Sequence, residues 1–282
     1  MTQPFLAAAV QLCSTEDIDA NVESAVHEIT KAARYGATLV VVPENVAFLR
    51  INPATPQPQF GPDHPVMTRF CELARTLEID LVLGSVSEPS PVPGKSYNTS
   101  VYIGSTGEVL ARYRKLHLFD IDIPGTVSLK ESDTVTPGDE AVVVESRLGK
   151  IGMSICYDLR FPELYRRLTS AGARILLVPA AFTLQTGKDH WIPLLRARAI
   201  ENQAWVIAPG QAGKHGGVRE SYGKSLIIDP WGIVVAQARD GVGVAVAEID
   251  FAHQDRIRAG LPCGQHRHPL FWSDAAGKGP RG

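Results

Sequence analysis

Cysteine is scarce in this sequence and nowhere paired: its four thiols, Cys13, Cys71, Cys156 and Cys263, stand far apart, with no Cys-x-x-Cys spacing. That excludes an obvious disulfide framework or zinc motif. Long apolar runs are missing as well; none approaches the roughly 18 residues that mark a bilayer-spanning helix. The start, Met1-Thr-Gln-Pro-Phe-Leu6, has no basic segment, and Gln11 breaks its apolar stretch, so it reads as a first strand and not as a signal peptide. Reduced thiols in a cytoplasmic protein are therefore expected. Charge is nearly balanced, 28 basic against 30 acidic residues for a net of −2, which argues against nucleic acid or a membrane as the main partner. There is no Gly-x-Ser-x-Gly elbow and no phosphate-cradling Gly-x-x-x-x-Gly-Lys-Ser/Thr loop. His266-Arg-His268 supplies two neighbouring imidazoles without an obvious third ligand, so no metal and no cofactor is expected.

What is present suits a globular chain: 282 residues, 44% of them hydrophobic and 21% charged. Phe5–Leu12 reads as a strand. Residues 21–35 carry Val22, Ala25, Val26, Ile29, Ala32 and Ala33 on one helical face, ended by Gly36. Thr38–Val42 is a β-branched strand stopped by Pro43, residues 53–65 are a proline-rich loop, 66–77 a second helix and 81–86 a third strand. Continuously apolar strands alternating with helices predict sheets covered by helices.

A hairpin over residues 100–114 turns at Gly104-Ser-Thr-Gly107, and a second over 225–238 turns at Asp229-Pro-Trp-Gly232. The two align without a gap: Ser100 with Ser225, Ile103 with Ile228, Gly107 with Gly232, Val109 with Val234, Ala111 with Ala236, Arg114 with Arg239. Leu39-Val-Val-Val-Pro43 likewise resembles Ile175-Leu-Leu-Val-Pro179. Between the hairpins lie a strand (151–155), a helix (162–171), a strand (174–178), a helix (191–203) and a strand (205–208), repeating the order of the first half. Two such halves with their bare sheet faces together give a single-domain, internally duplicated α/β fold, a four-layer α-β-β-α sandwich.

Three residues that can do chemistry stand at predicted strand ends. Cys156 closes Lys150-Ile-Gly-Met-Ser-Ile-Cys156, where a helix N-terminus favours a thiolate. Glu44 follows Pro43, and Lys115 follows the first hairpin. Each alone is unremarkable, since a lysine or glutamate after a strand is usually solvated. Together they form a nucleophile, a proton carrier and a cation for a developing negative charge. Asp158 is positioned to cap the turn after Cys156. Arg160, four residues past the thiol, can face the same cleft, and its guanidinium suits a substrate carboxylate. Cys13 and Cys71 read as inert core thiols. A histidine-based activation of Cys156, for example through His117, remains an alternative.

The stretches Pro43-Glu44-Asn45, Arg112-Tyr-Arg-Lys115-Leu-His-Leu-Phe-Asp120 and Cys156-Tyr-Asp-Leu-Arg-Phe-Pro-Glu163 resemble the nitrilase superfamily of carbon–nitrogen hydrolases, over most of the chain from Phe5 to about Arg258. The resemblance implies a Glu44–Lys115–Cys156 triad on an α-β-β-α sandwich, with residues 4–260 as the hydrolase domain and 261–282 as an extension, whose small, polar end, residues 273–282, is expected from its composition to fray. It implies that the backbone N–H of Tyr157 shares the oxyanion with Lys115, that Glu131 supports the lysine or the substrate, and that Phe182 and Thr186 line the pocket beside Arg160. Such relatives commonly form homodimers or larger homo-oligomers.

Within that superfamily, residues 119–124, Ala180-Ala-Phe-Thr183, residues 186–201, and Gly210-Gln-Ala-Gly-Lys-His215 with Ser221-Tyr-Gly223 resemble the Nit branch. This implies an amidase that hydrolyses the terminal carboxamide of a small α-keto acid, of the deaminated glutathione type, to a carboxylate and ammonia through a cysteine thioester. The alternatives are an omega-amidase acting on 2-oxoglutaramate or 2-oxosuccinamate, a nitrile-converting enzyme, and a non-catalytic nitrilase-like binding scaffold. The loops around residues 53–65 and 213–220 are expected to shape the pocket mouth.

Overall fold

Alternation along the first strand sets the layering. In the computed structural model, which describes residues 3–123 and 127–268, β1 (Phe5–Gln11) turns Ala7 and Ala9 to one core and Ala8 and Val10 to another. Successive side chains of a strand point to opposite faces. The Ala8 face packs on α1 (Ile18–Arg34) and α2 (Pro65–Leu77), through Val22, Ala25 and Ile29 of the first and Met67, Phe70 and Ala74 of the second. The Ala7 face joins the core of the second half of the chain. β2 (Ala37–Val41) repeats the pattern, with Leu39 and Val41 on the inter-sheet side and Val40 on the helix side. Each fully buried aliphatic side chain of this kind contributes about 1.5–3 kcal/mol.

The first sheet continues through β3 (Asp80–Pro89), β4 (Ser96–Ile103) and β5 (Val109–Arg114). A small hairpin of β6 (Asp120–Ile123) and β7 (Val127–Lys130) follows. The second sheet is made by β8 (Val143–Ser146), β9 (Gly149–Gly152), β10 (Ile175–Leu177) and β11 (Trp205–Ala208), with α3 (Pro162–Ser170) and α4 (Leu184–Asn202) in the crossovers. A two-stranded ribbon, β12 (Ala212–Gly216) and β13 (Arg219–Tyr222), precedes β14 (Leu226–Ile228) and β15 (Val234–Gln237), and β16 (Gly243–Ile249) returns to the first sheet before α5 (Phe251–Gly260).

Strand order exposes the duplication. The sheets run β16-β1-β2-β3-β4-β5 and β15-β14-β11-β10-β9-β8. In each, three parallel strands (β1-β2-β3, β9-β10-β11) are followed by an antiparallel hairpin and flanked on the other side by an antiparallel strand. The fold is thus the expected α-β-β-α sandwich, with the ribbon β12–β13 inserted only in the second half. No described helix is long and apolar enough to cross a membrane.

Two of the boundaries that differ from expectation bear on the site. α4 begins at Leu184 rather than Trp191, because its first turns contain Gly187 and polar residues and Pro193 lies inside it. Gly187 is needed there: a Cβ would stand 2.3 Å from that of Tyr222 on β13. The strand leading to Cys156 ends at Gly152, so residues 153–155 leave the ladder before the thiol is reached. The C-terminal stretch expected to fray, residues 273–282, lies outside the described residues.

Candidate active site

The two halves meet at the exits of β2 and β10. Pro43 and Pro179, the matching prolines of the duplicated runs, both press on Gly84 of β3. A Cβ on Gly84 would lie 2.1 Å from the Val42 carbonyl oxygen and 2.5 Å from Pro179 Cβ. The bare backbone there lets the two strand ends close on each other. Immediately beyond, the segment after β10 serves both chemistry-bearing residues: the Pro179 carbonyl accepts the Cys156 N–H at 2.8 Å, and the Ala181 N–H donates to Glu44 Oε2 at 2.7 Å.

Glu44 is buried, with its other oxygen, Oε1, accepting from Lys115 Nζ at 3.2 Å and from Asn98 Nδ2 at 2.9 Å. Lys115 is buried too and is held from the far side by both oxygens of Glu131, at 2.8 and 3.1 Å. Glu131 stands on a short 3-10 turn after β7 and is fixed further by the Phe119 N–H at 2.7 Å and Asn98 Nδ2 at 3.1 Å. Asn98 on β4 therefore bridges the two carboxylates, and its carbonyl receives the Lys115 N–H at 2.9 Å. Its own side-chain oxygen is buried without a hydrogen-bond partner among the described residues. Sequence reasoning missed Asn98; alternation along β4 places it on the Lys115 side, but an asparagine in a strand gives no catalytic signal.

Cys156 has a positive φ of 49° and opens a five-residue 3-10 turn, Cys156–Arg160. A non-glycine residue in this region costs about 1–3 kcal/mol and persists only when its surroundings impose it. They do so here. Besides the Pro179 bond, Asp158 Oδ2 accepts the Ile155 N–H at 2.8 Å and the Tyr113 hydroxyl at 2.6 Å, while Oδ1 accepts the His117 N–H at 3.1 Å and meets His117 Nδ1 at 2.7 Å. Asp158 caps the turn as expected, and it also ties the turn to the Lys115 segment. His117, the imidazole of the histidine-based alternative, commits Nδ1 to Asp158 and stacks on Phe161 at 3.7 Å.

The electrostatics correct one expectation. A helix dipole does not hold a thiolate here. Burial pushes the Cys156 thiol well above its usual range, the Glu44 charge adds to this, and Lys115 opposes both without prevailing. Glu44 goes the other way. Burial pushes its carboxyl up, but the Lys115 ammonium, the Ala181 N–H, the Cys156 thiol and the Asn98 amide together hold it below the ordinary value. Burial also works against the Lys115 charge, yet Glu131, Glu44 and Cys156 keep the ammonium well above its normal range. At neutral pH the cluster is thus a thiol facing a carboxylate, beside a permanent cation.

The remaining expected residues surround this cluster. Tyr157 follows Cys156 on the turn, its ring edge-on to Phe119 and Phe161. Arg160 is half-buried, its guanidinium 5.5 Å from the Phe182 ring centre and 5.7 Å from that of Tyr157, with His190 Nδ1 at 3.3 Å. Phe182 is buried against Trp191, whose indole N–H donates to the Lys224 carbonyl. Thr186 lies in the first turn of α4, its hydroxyl 2.8 Å from that of Thr183. Arg198 braces the Cys156 turn through the Leu159 carbonyl, at 2.7 and 3.1 Å. Cys13 and Cys71 are half-buried rather than core thiols; Cys13 lies past β1, 3.4 Å from the Lys214 carbonyl oxygen.

The loop 213–220 folds into the turn and strands of the β12–β13 ribbon. Gln211, just before it, donates to the Glu44 carbonyl at 2.9 Å, and the Tyr222 N–H donates to the Phe182 carbonyl at 2.9 Å. The ribbon therefore joins the wall of the site, and Arg219 on β13 enters its electrostatic field, as described below. Sequence reasoning missed Arg219 because a surface-like loop carries no periodicity.

Comparison with known proteins identifies the family. The carbon-nitrogen hydrolase family model matches residues 6–259. The chain is 44% identical over 271 residues to a deaminated glutathione amidase of Synechocystis, covering 94% of this chain and 98% of that one. Among solved structures, Saccharomyces cerevisiae Nit3, a member of branch 10 of the nitrilase superfamily, superimposes with a TM-score of 0.81 at 32% identity, covering 93% of this chain and 96% of that one. An amidase from Nesterenkonia, captured after Michael addition of acrylamide at its active-site cysteine, gives a TM-score of 0.74 at 26% identity, covering 93% and 99%. The chain belongs to the carbon-nitrogen hydrolase family of the nitrilase superfamily.

Proposed function

We propose that this protein is an amidase that hydrolyses a small α-keto acid amide of the deaminated glutathione type through a thioester on Cys156. The observation that carries this is the buried contact of Glu44 with Lys115 Nζ at 3.2 Å beside the Cys156 thiol, with the Glu44 carboxyl held below its ordinary value and the thiol above its own. Glu44 takes the thiol proton as sulfur attacks the amide carbon. The oxyanion is held by Lys115 Nζ and the Tyr157 N–H, hydrogen-bond donors aimed at the charge that develops. Protonated Glu44 then gives its proton to the departing amine, leaving the acyl group on sulfur. Water enters where the amine left, loses a proton to Glu44 and attacks the thioester; collapse of the second tetrahedral intermediate expels the thiolate, which recovers its proton from Glu44. Glu131 holds Lys115 in place throughout, through its two-oxygen grip.

The amine depends on the substrate. A primary amide releases ammonia. The amide of deaminated glutathione has a cysteinyl nitrogen, so its hydrolysis releases a peptide amine. Arg160, with no carboxylate partner among the described residues and aromatic rings on two sides, is the proposed ligand for the α-keto acid carboxylate, with Phe182 and Thr186 forming the adjoining wall.

Comparing kcat/KM for deaminated glutathione and 2-oxoglutaramate tests the substrate assignment. The expected result favours deaminated glutathione. Equal or reversed values overturn that assignment and leave the amidase chemistry standing; binding without turnover across a panel of small amides and nitriles overturns the enzyme.

A further inference from the structure

Arg219 stands on the ribbon that joins the wall of the site. On β13 it shares a face with Ser221, two residues on, whose side chain is buried against His215 Nε2 at 2.8 Å. The Arg219 side chain accordingly runs inward, and Nη1 donates to the Arg50 carbonyl at 2.6 Å. Arg50 ends the segment that starts at Glu44, and Gln211 at the ribbon's base holds the Glu44 carbonyl. The same ribbon pairs with the opposite wall through Tyr222 and Phe182 and through a bridge between Ser221 and Thr183. Among the described residues, no carboxylate lies within ion-pair distance of the Arg219 guanidinium. Burial works against its charge, and of the charges that favour it Glu44 acts most strongly, ahead of Cys156 and Glu131. A partly buried guanidinium committed to a single carbonyl retains donors for an anion.

The direction of the substrate follows from the chemistry. The amine must leave beside its proton donor, Glu44, and therefore on the Arg219 side. The acyl half remains on Cys156, whose turn carries Arg160 against Phe182. We propose that Arg219 binds a carboxylate on the amine half of the amide while Arg160 binds that of the acyl half, so that the site selects a dianionic amide with a peptide-like leaving amine. A two-residue amine extends its carboxylate about 7 Å from the scissile nitrogen, a span that a side chain on the rim can meet. This assignment rests on the amidase function proposed above and specifies its leaving group.

The test compares deaminated glutathione with the same compound carrying a C-terminal carboxamide in place of the carboxylate. Wild type is expected to favour the free carboxylate by about 10- to 100-fold in kcat/KM, mostly through KM. Arg219→Gln should bring that ratio close to one, and Arg219→Lys should leave it in between. Arg160→Gln should lower both rates and keep the ratio. Because the ratio is internal to each preparation, a partly folded variant does not distort it. A wild-type ratio near one, or an Arg219→Gln ratio equal to that of wild type, overturns the role of Arg219. A wild type that hydrolyses neither compound overturns the deaminated-glutathione assignment proposed above, and this assignment with it.

Discussion

Tyr113 donates its hydroxyl to Asp158 at 2.6 Å, joining the strand that delivers Lys115 to the turn that carries Cys156. Both residues are buried. The contact couples the cation and the nucleophile through one carboxylate, so their relative position depends on a residue that takes no part in proton transfer.

Removing that hydroxyl leaves Asp158 one donor short in the core. Tyr113→Phe is expected to destabilise the fold by about 1–3 kcal/mol and to reduce kcat more than it raises KM. Denaturant unfolding and steady-state kinetics on the same preparation check both. Unchanged stability and kcat would show that the backbone alone holds the two elements in register.

The pH profile should reveal which partner holds the proton. Glu44 must be ionised to receive the thiol proton, and its carboxyl is held below the ordinary value. The acid limb of kcat/KM therefore falls below the usual glutamate range, with a plateau through neutrality. Asn98 donates to Glu44 and so stabilises its charged form. Asn98→Ala removes that donor, raises the Glu44 pKa and moves the acid limb to higher pH. A limb that stays in place, or moves down, contradicts the assignment of Glu44 as the resting base.

Lys115 and His117 separate two mechanisms. Lys115→Met removes the cation at the oxyanion and should cost about 10²–10³ in kcat. It also leaves Glu44 and Glu131 without their shared cation, so thermal stability should be measured alongside. His117→Phe keeps the stack on Phe161 but loses the ring contact to Asp158, and should cost less than about 10-fold. The reverse ranking favours activation of Cys156 by histidine.

Gly84 tests how closely the halves must approach. Gly84→Ala places a methyl within 2.1 Å of the Val42 carbonyl oxygen, which no rotamer can relieve. A destabilisation of about 1–3 kcal/mol or more is expected, with loss of activity because Pro43 and Pro179 lead into Glu44 and Ala181. Wild-type stability in this variant would mean that the strand ends move apart freely.

Much of this was legible in the chain, for identifiable reasons. The duplicated hairpins reported their shared topology because turn glycines and alternating apolar residues are local signals, as Gly107 and Gly232 show. Glu44 and Cys156 were conspicuous because each is a reactive side chain directly after an apolar run, and Lys115 because it ends the first hairpin. Asn98, Arg219 and the Ala181 N–H carry no such mark; they matter through contacts with residues distant in sequence. The start of α4 was hidden by Gly187 and Pro193, which weaken local helix propensity while tertiary packing against Tyr222 requires the glycine. The charge state of Cys156 is not legible in its local geometry, because burial and Glu44 outweigh a single turn of 3-10 helix.

The central claim is that hydrolysis passes through an acyl group on Cys156, and hydroxylamine partitioning tests it most directly. With deaminated glutathione as substrate and hydroxylamine present, wild type should form 2-oxoglutaryl hydroxamate at the expense of 2-oxoglutarate, and Cys156→Ala should form neither. Turnover that yields only the free acid at every hydroxylamine concentration, or that survives in Cys156→Ala, would contradict the account.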